Sequence, residues 1–274
     1  VTARQKARAL FVVCAVVLAT VGGSVAFSGA VAGTHDNLTV DPDGNADHTT
    51  IQSAVDNASD AQTVKLLPAD NGYSTNVVID KNITIVAPQG ANLTNATGDP
   101  IIKIDSPDNS PIAPTIRDVT LNATEEAQAL IVSDGQNNDL SNGGNWTLSN
   151  VTIIGSFSVE IDASGATGDW EIKSSTLQDS YMESRETTGD WVITNSTFTG
   201  AELRAQFNGN KDGNWTVENT VFESSKSNDA NLKLTDSRTG VVRNVSFVGN
   251  ATGNSNSVGL TIGGGTVDDV SMRS

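Results

Sequence analysis

The sequence predicts an all-β chain wound as a single-stranded parallel β-helix. First, a ten-residue phrase that begins Gly-Asp/Asn-Trp returns four times, and its tryptophans are Trp146, Trp170, Trp191 and Trp215. Second, apolar residues occupy alternate positions within the phrase, which is typical of short strands with one buried face. Third, three such strands fit into each repeat of about 24 residues without room for a crossover helix, and this describes one coil.

Each phrase predicts two strands joined by a tight turn. Leu148 precedes the turn residue by two positions in the first copy, and Ile153 follows it by three. The turn residue is Asn or Ser, and Asn tolerates a left-handed bend better than any residue except Gly. The predicted turn residues are Asn150, Ser174, Asn195 and Asn219.

Weaker copies at 116–121, 242–247 and 267–272 extend the prediction to about seven or eight coils. The repeat resembles that of the right-handed parallel β-helix, or pectin lyase-like, family over residues 36–274. This resemblance implies a right-handed coil. It implies no single function, because lyases, hydrolases, adhesins and structural surface proteins share this fold.

Residues 1–32 are predicted to be a secretory signal peptide. Arg4, Lys6 and Arg8 precede an apolar run from Ala9 to Ala26, and Ala30-Val31-Ala32 offers a cleavage site. The alternative is a membrane anchor, since the run approaches the ~18 residues that span a bilayer. The segment resembles the shared signal peptide of haloarchaeal surface glycoproteins, which implies a secreted or cell-surface protein. We expect membrane contact only through the signal segment if it stays uncleaved.

The predicted mature chain is strongly acidic. Residues 33–274 hold thirteen Lys and Arg against 32 acids, a net charge of −19. No nucleic-acid partner is expected, because phosphate backbones require a basic surface. Low hydrophobicity with high charge also suits disorder. The regular apolar period instead predicts a folded, halophilic protein whose self-repulsion is screened by concentrated salt.

Residues 33–62 are predicted to cap the first coil, and residues 63–274 to form the β-helix. Thr49-x-x-Gln52 fits a capping box for a short amphipathic helix that covers the open end. Prolines and asparagines predict long loops at 88–114 and 133–144. Since the sequence stops within a coil, we expect either a fragment or a last coil that pairs with a partner.

Calcium is the one cofactor that the sequence suggests. Four oxygen-bearing side chains spaced two apart can wrap a hard cation, and they belong to Asp41, Asp43, Asn45 and Asp47. The alternative is an acidic turn before a capped helix, since the glycine stands early and no acid occupies the twelfth position of the loop.

The four tryptophans are predicted to stack as a column about 4.8 Å apart. They share a face with the aliphatic residue two positions on, which favours a buried ladder. The alternative is an exposed strip that stacks on sugar rings, so Trp146, Trp170, Trp191 and Trp215 are candidate sugar-binding residues.

An outward face carries the candidate catalytic residues Glu160, Glu183 and Arg204. Acids beside an arginine could bind a cation and abstract a proton from a uronate. Pectate lyases and polygalacturonases of similar fold place Asp and Arg on such a face, which the resemblance extends to this chain. The sequence lacks Gly-His-Gly, however, and both histidines precede the coils, so a solvated mixed-charge face is the favoured interpretation.

Twelve Asn-x-Ser/Thr sequons are possible glycan acceptors on a secreted chain. Sequons at stacked turns, such as those of Asn82, Asn150, Asn195 and Asn244, leave little space for a glycan. The expected acceptors are Asn92, Asn95, Asn122 and Asn250. Together these features predict an acidic, non-catalytic surface glycoprotein that contacts extracellular glycans or surface proteins, with a carbohydrate-active enzyme as the alternative.

Overall fold

The computed structural model describes residues 37–95, 99–105, 112–123, 128–133, 145–155, 158–162, 168–185, 189–206, 213–224, 230–235, 239–249, 258–263 and 266–273. These residues form one helix and 24 strands, and the strands pair in parallel. The chain is an all-β parallel β-solenoid of about seven turns, which confirms the predicted fold class. The predicted signal segment, residues 134–144 of the second predicted loop, and Asn250 lie outside the described residues.

The strands stack into three faces. The first face contains β1 (Leu38–Val40), β2 (Thr63–Leu66), β5 (Thr84–Val86), β8 (Thr115–Arg117), β11 (Trp146–Ser149), β14 (Trp170–Lys173) and β17 (Trp191–Thr194). The second contains β3 (Tyr73–Ser74), β6 (Asn92–Thr94), β9 (Thr120–Asn122), β12 (Thr152–Ile154), β15 (Thr176–Gln178) and β18 (Thr197–Thr199). Three longer strands bend through both of these faces, namely β20 (Trp215–Glu223), β22 (Gly240–Val248) and β24 (Thr266–Arg273).

The third face is a separate sheet. It contains β4 (Val77–Ile79), β7 (Ile102–Asp105), β10 (Leu130–Ser133), β13 (Ser158–Asp162), β16 (Tyr181–Arg185), β19 (Glu202–Gln206), β21 (Ala230–Thr235) and β23 (Val258–Ile262). Each strand pairs with its equivalent in the next coil, so side chains of equivalent residues form rows along the solenoid axis.

A column of left-handed residues forms the corner between the first and second faces. Their φ angles lie between 49° and 62°, and the residues are Asp118, Asn150, Ser174, Asn195, Asn219, Asn244 and Asp269. The four predicted turn residues are therefore confirmed. Behind the corner, the buried Ser196 Oγ donates to the Thr194 carbonyl at 2.8 Å and accepts from the Ser175 N–H at 3.2 Å.

Two aromatic stacks fill the interior. The indole centroids of Trp146, Trp170, Trp191 and Trp215 are separated in turn by 5.2, 4.9 and 6.0 Å. The rings of Phe198, Phe222 and Phe247 follow one another at 4.7 and 5.1 Å. Parallel pairing places equivalent residues one strand spacing apart, and offset stacking of their rings stabilises that alignment.

The predicted N-terminal helix is confirmed as α1 (Ile51–Asn57), with Ile51, Ala54 and Val55 buried against the first coil. Its cap differs from the prediction by one residue. Thr50 is the N-cap, and its Oγ1 accepts from the Ser53 N–H at 3.2 Å.

Gln52 is not part of a capping box. Its side-chain amide instead donates to Asp56 Oδ1 at 2.7 Å, and its Oε1 accepts from the Val78 N–H at 2.8 Å. Adjacent threonines both satisfy the sequence rule for a cap, and the tertiary contact of Gln52 with β4 decides between them. Since β1 pairs with β2, the solenoid ladder already begins at Leu38, within the segment assigned to the cap.

The prediction of a long loop at 88–114 is wrong for much of its length. This segment contains β6 and β7, and both are in register with the coils on either side. Pro88 and Pro100 stand between strands, at positions that need not donate to a strand ladder. In its described residues the segment therefore contributes one strand to the second face and one to the third.

Candidate functional site

The three candidate catalytic residues occupy one row of the third face. Glu160 pairs in register with Glu183, Glu183 with Arg204, and Arg204 with Lys233. Four consecutive strands therefore place two acids and two bases in a line along the solenoid axis. The sequence placed them on one face, and the register shows that they are direct neighbours in one row.

Ion pairs engage the basic end of this row. Glu202 Oε1 lies 2.8 Å from Arg204 Nη2 and 3.0 Å from Lys233 Nζ. The Arg204 guanidinium also lies over the ring of Tyr181, 5.3 Å from its centroid. One carboxylate thus balances two cations. Because these side chains are partly exposed, each pair contributes at most about 1 kcal/mol to stability.

The four tryptophans lie in the interior and not on the surface. Their exposed fractions are only 1 to 4%, and their ring faces contact one another. The sugar-stacking hypothesis for Trp146, Trp170, Trp191 and Trp215 is therefore corrected in favour of the ladder. The physical reason is that each indole begins a strand of the first face with its side chain on the core side of the pleat.

The proposed calcium segment is tied together by its own hydrogen bonds. Asp41 is buried and its Oδ1 accepts from the Asp43 N–H at 2.9 Å. Asp47 Oδ2 accepts from the Thr39 hydroxyl and backbone N–H at 2.7 and 2.9 Å, which lowers the pKa of the Asp47 carboxyl. Asn45 lies in the same turn.

Among the residues that the structure describes, no three His, Cys, Asp or Glu side chains are grouped to hold a metal ion. Calcium binding by Asp41, Asp43, Asn45 and Asp47 stays a prediction.

A surface cleft that the sequence analysis missed lies at the start of the second face. Its volume is about 490 Å³, and it is lined by residues 68–73, 90–92 and 120. Gly72 has a φ of 65°, and a Cβ there would stand 2.6 Å from the Asn92 carbonyl oxygen. Only glycine permits this approach of the turn to β6. The Asn71-Gly72 dipeptide is the sequence signal for the turn, but its contact with Asn92 is tertiary.

Tyr73 anchors the cleft from below. Its hydroxyl lies 2.9 Å from the Val40 carbonyl oxygen and 2.6 Å from that of Leu67. Burial raises the pKa of the Tyr73 phenol to about 12, and the Asp41 carboxylate adds to the shift. The neutral phenol of Tyr73 in β3 thus contacts β1 and the residue that follows β2.

The predicted glycan acceptors differ in their exposure to solvent. Asn92 is exposed at the floor of the cleft, whereas Asn95 and Asn122 are half-buried. The side-chain amides of two turn sequons are engaged: Asn150 Nδ2 donates to Asp118 Oδ1 at 2.8 Å, and Asn244 Nδ2 donates to Asn219 Oδ1 at 2.7 Å.

No protein-family model matches the chain, and no curated protein matches it. Among solved structures, a pectin methylesterase from carrot is similar over 86% of this chain and 89% of that chain, with 12% sequence identity and a TM-score of 0.35. Within the described ranges, no helix has the length and apolar character needed to cross a membrane.

Proposed function

We propose that the protein is a secreted, acidic, non-catalytic surface glycoprotein that uses the outer faces of its solenoid for structural, adhesive or glycan contacts. The observation that carries this proposal is the ion-pair network of Glu202, Arg204 and Lys233. A cation that already shares a carboxylate is a poorer clamp for a reacting anion, because substrate binding must first break that pair.

The interior supports a mechanical role. Stacked indoles and phenyl rings extend through consecutive coils, and buried hydroxyls bond to backbone groups behind the corner. Such a core holds each coil in a fixed position relative to the next. The outer rows of side chains then repeat at the strand spacing of about 4.8 Å, which suits contact with an extended partner.

The experiment incubates the mature protein in molar salt, with and without calcium, with neutral and acidic polysaccharides. Binding is followed by sedimentation and polysaccharide length by mass spectrometry. Retention of the protein on at least one polysaccharide of unchanged length supports the proposal. Shortened or eliminated products would overturn it.

The alternative is a carbohydrate-active enzyme that acts on an acidic polysaccharide, and it is favoured by the register of Glu160, Glu183 and Arg204. Acids beside an arginine could bind a cation and abstract a proton from a uronate. If products form, Glu183→Gln should abolish them. The control is Asp105, an acid on the same face that forms an ion pair with Lys103, and Asp105→Asn should leave the products unchanged.

A further inference from the structure

The cleft on the second face is lined by Asn92, the first residue of an Asn-x-Thr sequon. Asn92 lies between the turn at residues 68–73 and Thr120 of the next coil, so its side chain lies on the cleft floor. It is exposed, and no protein group in the described ranges bonds to its side-chain amide. Thr94, the hydroxyl-bearing residue of the sequon, lies on the same outward side of β6 as Asn92.

We propose that Asn92 carries an N-linked glycan whose first sugar occupies this cleft. This inference rests on the proposed secreted state, because glycan transfer to sequons takes place on exported chains. It also refines the sequence prediction by selecting one acceptor and by assigning a partner to the cleft.

The lining suits a neutral sugar ring. The side chains of Asp70, Asn71 and Thr120 offer a carboxylate, an amide and a hydroxyl, which can pair with sugar hydroxyls as donors and acceptors. The volume of about 490 Å³ falls within the ~300–1,000 Å³ typical of small-molecule sites. A sugar held covalently at the floor would need few contacts, since the bond removes most of the entropic cost of association.

The position of the acceptor is fixed by the backbone. Gly72 packs against the Asn92 carbonyl, and Tyr73 joins the turn to β1 through its hydroxyl. Asn92 is therefore presented at a defined distance from the walls of the cleft. By contrast, the exposed Asn150 uses its amide nitrogen to bond Asp118, and a glycan there would compete with Asp118 for the space around that nitrogen.

The test expresses residues 33–274 behind a signal peptide of a host that glycosylates sequons, so that export does not depend on residues 1–32. A flexible Asn-Gly-Thr tail after Ser274 is the positive control for transfer. Glycopeptide mapping should find sugar on Asn92 and none on Asn150. The Asn92→Gln variant should lose that mass, and Asn150→Gln should keep it. A modified tail with unmodified Asn92, or sugar on Asn195 alone, would overturn the proposal.

Hydrogen exchange tests the occupancy of the cleft. Amide exchange in residues 69–73 should be severalfold slower in the glycosylated protein than in Asn92→Gln, while residues 192–194 on the first face exchange equally in both. Equal exchange at 69–73 would mean that the glycan extends into solvent, and it would overturn the assignment of the cleft. Polysaccharide binding is measured separately on Asn92→Gln, so failure of the proposed function is distinguished from failure of this inference.

Discussion

The indole ring of Trp215 occupies the space that a Cβ on Gly240 would need. The two residues are register partners on β20 and β22, and Gly240 is where the tryptophan column ends. The next coil therefore closes over the last indole with backbone alone. The glycine is required by this contact and not by its φ angle.

We expect Gly240→Ala to lower the free energy of unfolding by about 3 kcal/mol, at the upper end of the cost of overpacking, because the rigid indole must move. Chemical denaturation at constant salt measures the loss. Gly259→Ala is the matched control, since its Cβ would meet only the Asn231 side-chain oxygen, which can turn away. Equal stability of Gly240→Ala and the wild type would contradict the contact.

Removal of an indole from the middle of the tryptophan column should lower the free energy of unfolding by more than Gly240→Ala does. Trp191→Ala removes a 1% exposed indole from between Trp170 and Trp215, and we expect a loss of about 3–5 kcal/mol from the resulting cavity. Val78→Ala, at a 40% exposed site, should stay within about 0.5 kcal/mol of the wild type. A Trp191→Ala protein of unchanged stability that binds sugars less tightly would restore the platform hypothesis.

Alanine substitutions at two buried serines should have different effects on the free energy of unfolding. Ser196→Ala leaves the Ser175 N–H and the Thr194 carbonyl without their hydroxyl partner, and we expect a loss of about 1–3 kcal/mol. Ser184 is also fully buried, but within the described part of the chain its Oγ has no hydrogen-bond partner. Ser184→Ala should therefore be neutral or stabilising in the same denaturation assay. A larger loss for Ser184→Ala than for Ser196→Ala would refute this assignment.

Tyr73 should make stability depend on alkaline pH. Its pKa is raised from 10.0 to about 12 in the folded state, so the unfolded chain releases the phenol proton first. The resulting stabilisation is complete below pH 10 and is lost as the pH rises towards 12. Tyr73→Phe should cost about 1 kcal/mol at pH 8 through the lost hydrogen bonds, and its melting temperature should fall less steeply between pH 10 and 12 than that of the wild type. Parallel slopes would show that the Tyr73 phenol has the same pKa in the folded and unfolded states.

The repeat was readable from the sequence because it is a local property. Alternation of apolar residues around Asn150 or Asn195 predicts strand, turn and strand without knowledge of any other coil, and the left-handed φ angles confirm those turns. The strands within 88–114 were missed because prolines such as Pro88 and Pro100 stand between the short apolar stretches. Its β6 and β7 are recognisable only once they lie in register with neighbouring coils.

Only part of the candidate site could be predicted from the sequence. The sequence placed Glu160, Glu183 and Arg204 on one face, since alternation fixes which side chains point outward. It gave no indication that Arg204 and Lys233 share Glu202, because that contact joins residues 31 positions apart. For the same reason it could not show which sequon amides were already bonded.

The sequence alone therefore determined the coil, its turns and the alignment of the tryptophans, since each follows from spacing within one or two repeats. Its composition determined the excess of acids. Tertiary structure decided that the tryptophan faces are buried, that Thr50 and not Thr49 caps α1, and that Gly72 and Asn92 build a cleft. The physical reason is that these features depend on packing between coils. A residue's partners there lie a full turn away and are set by register, a property that no single repeat contains.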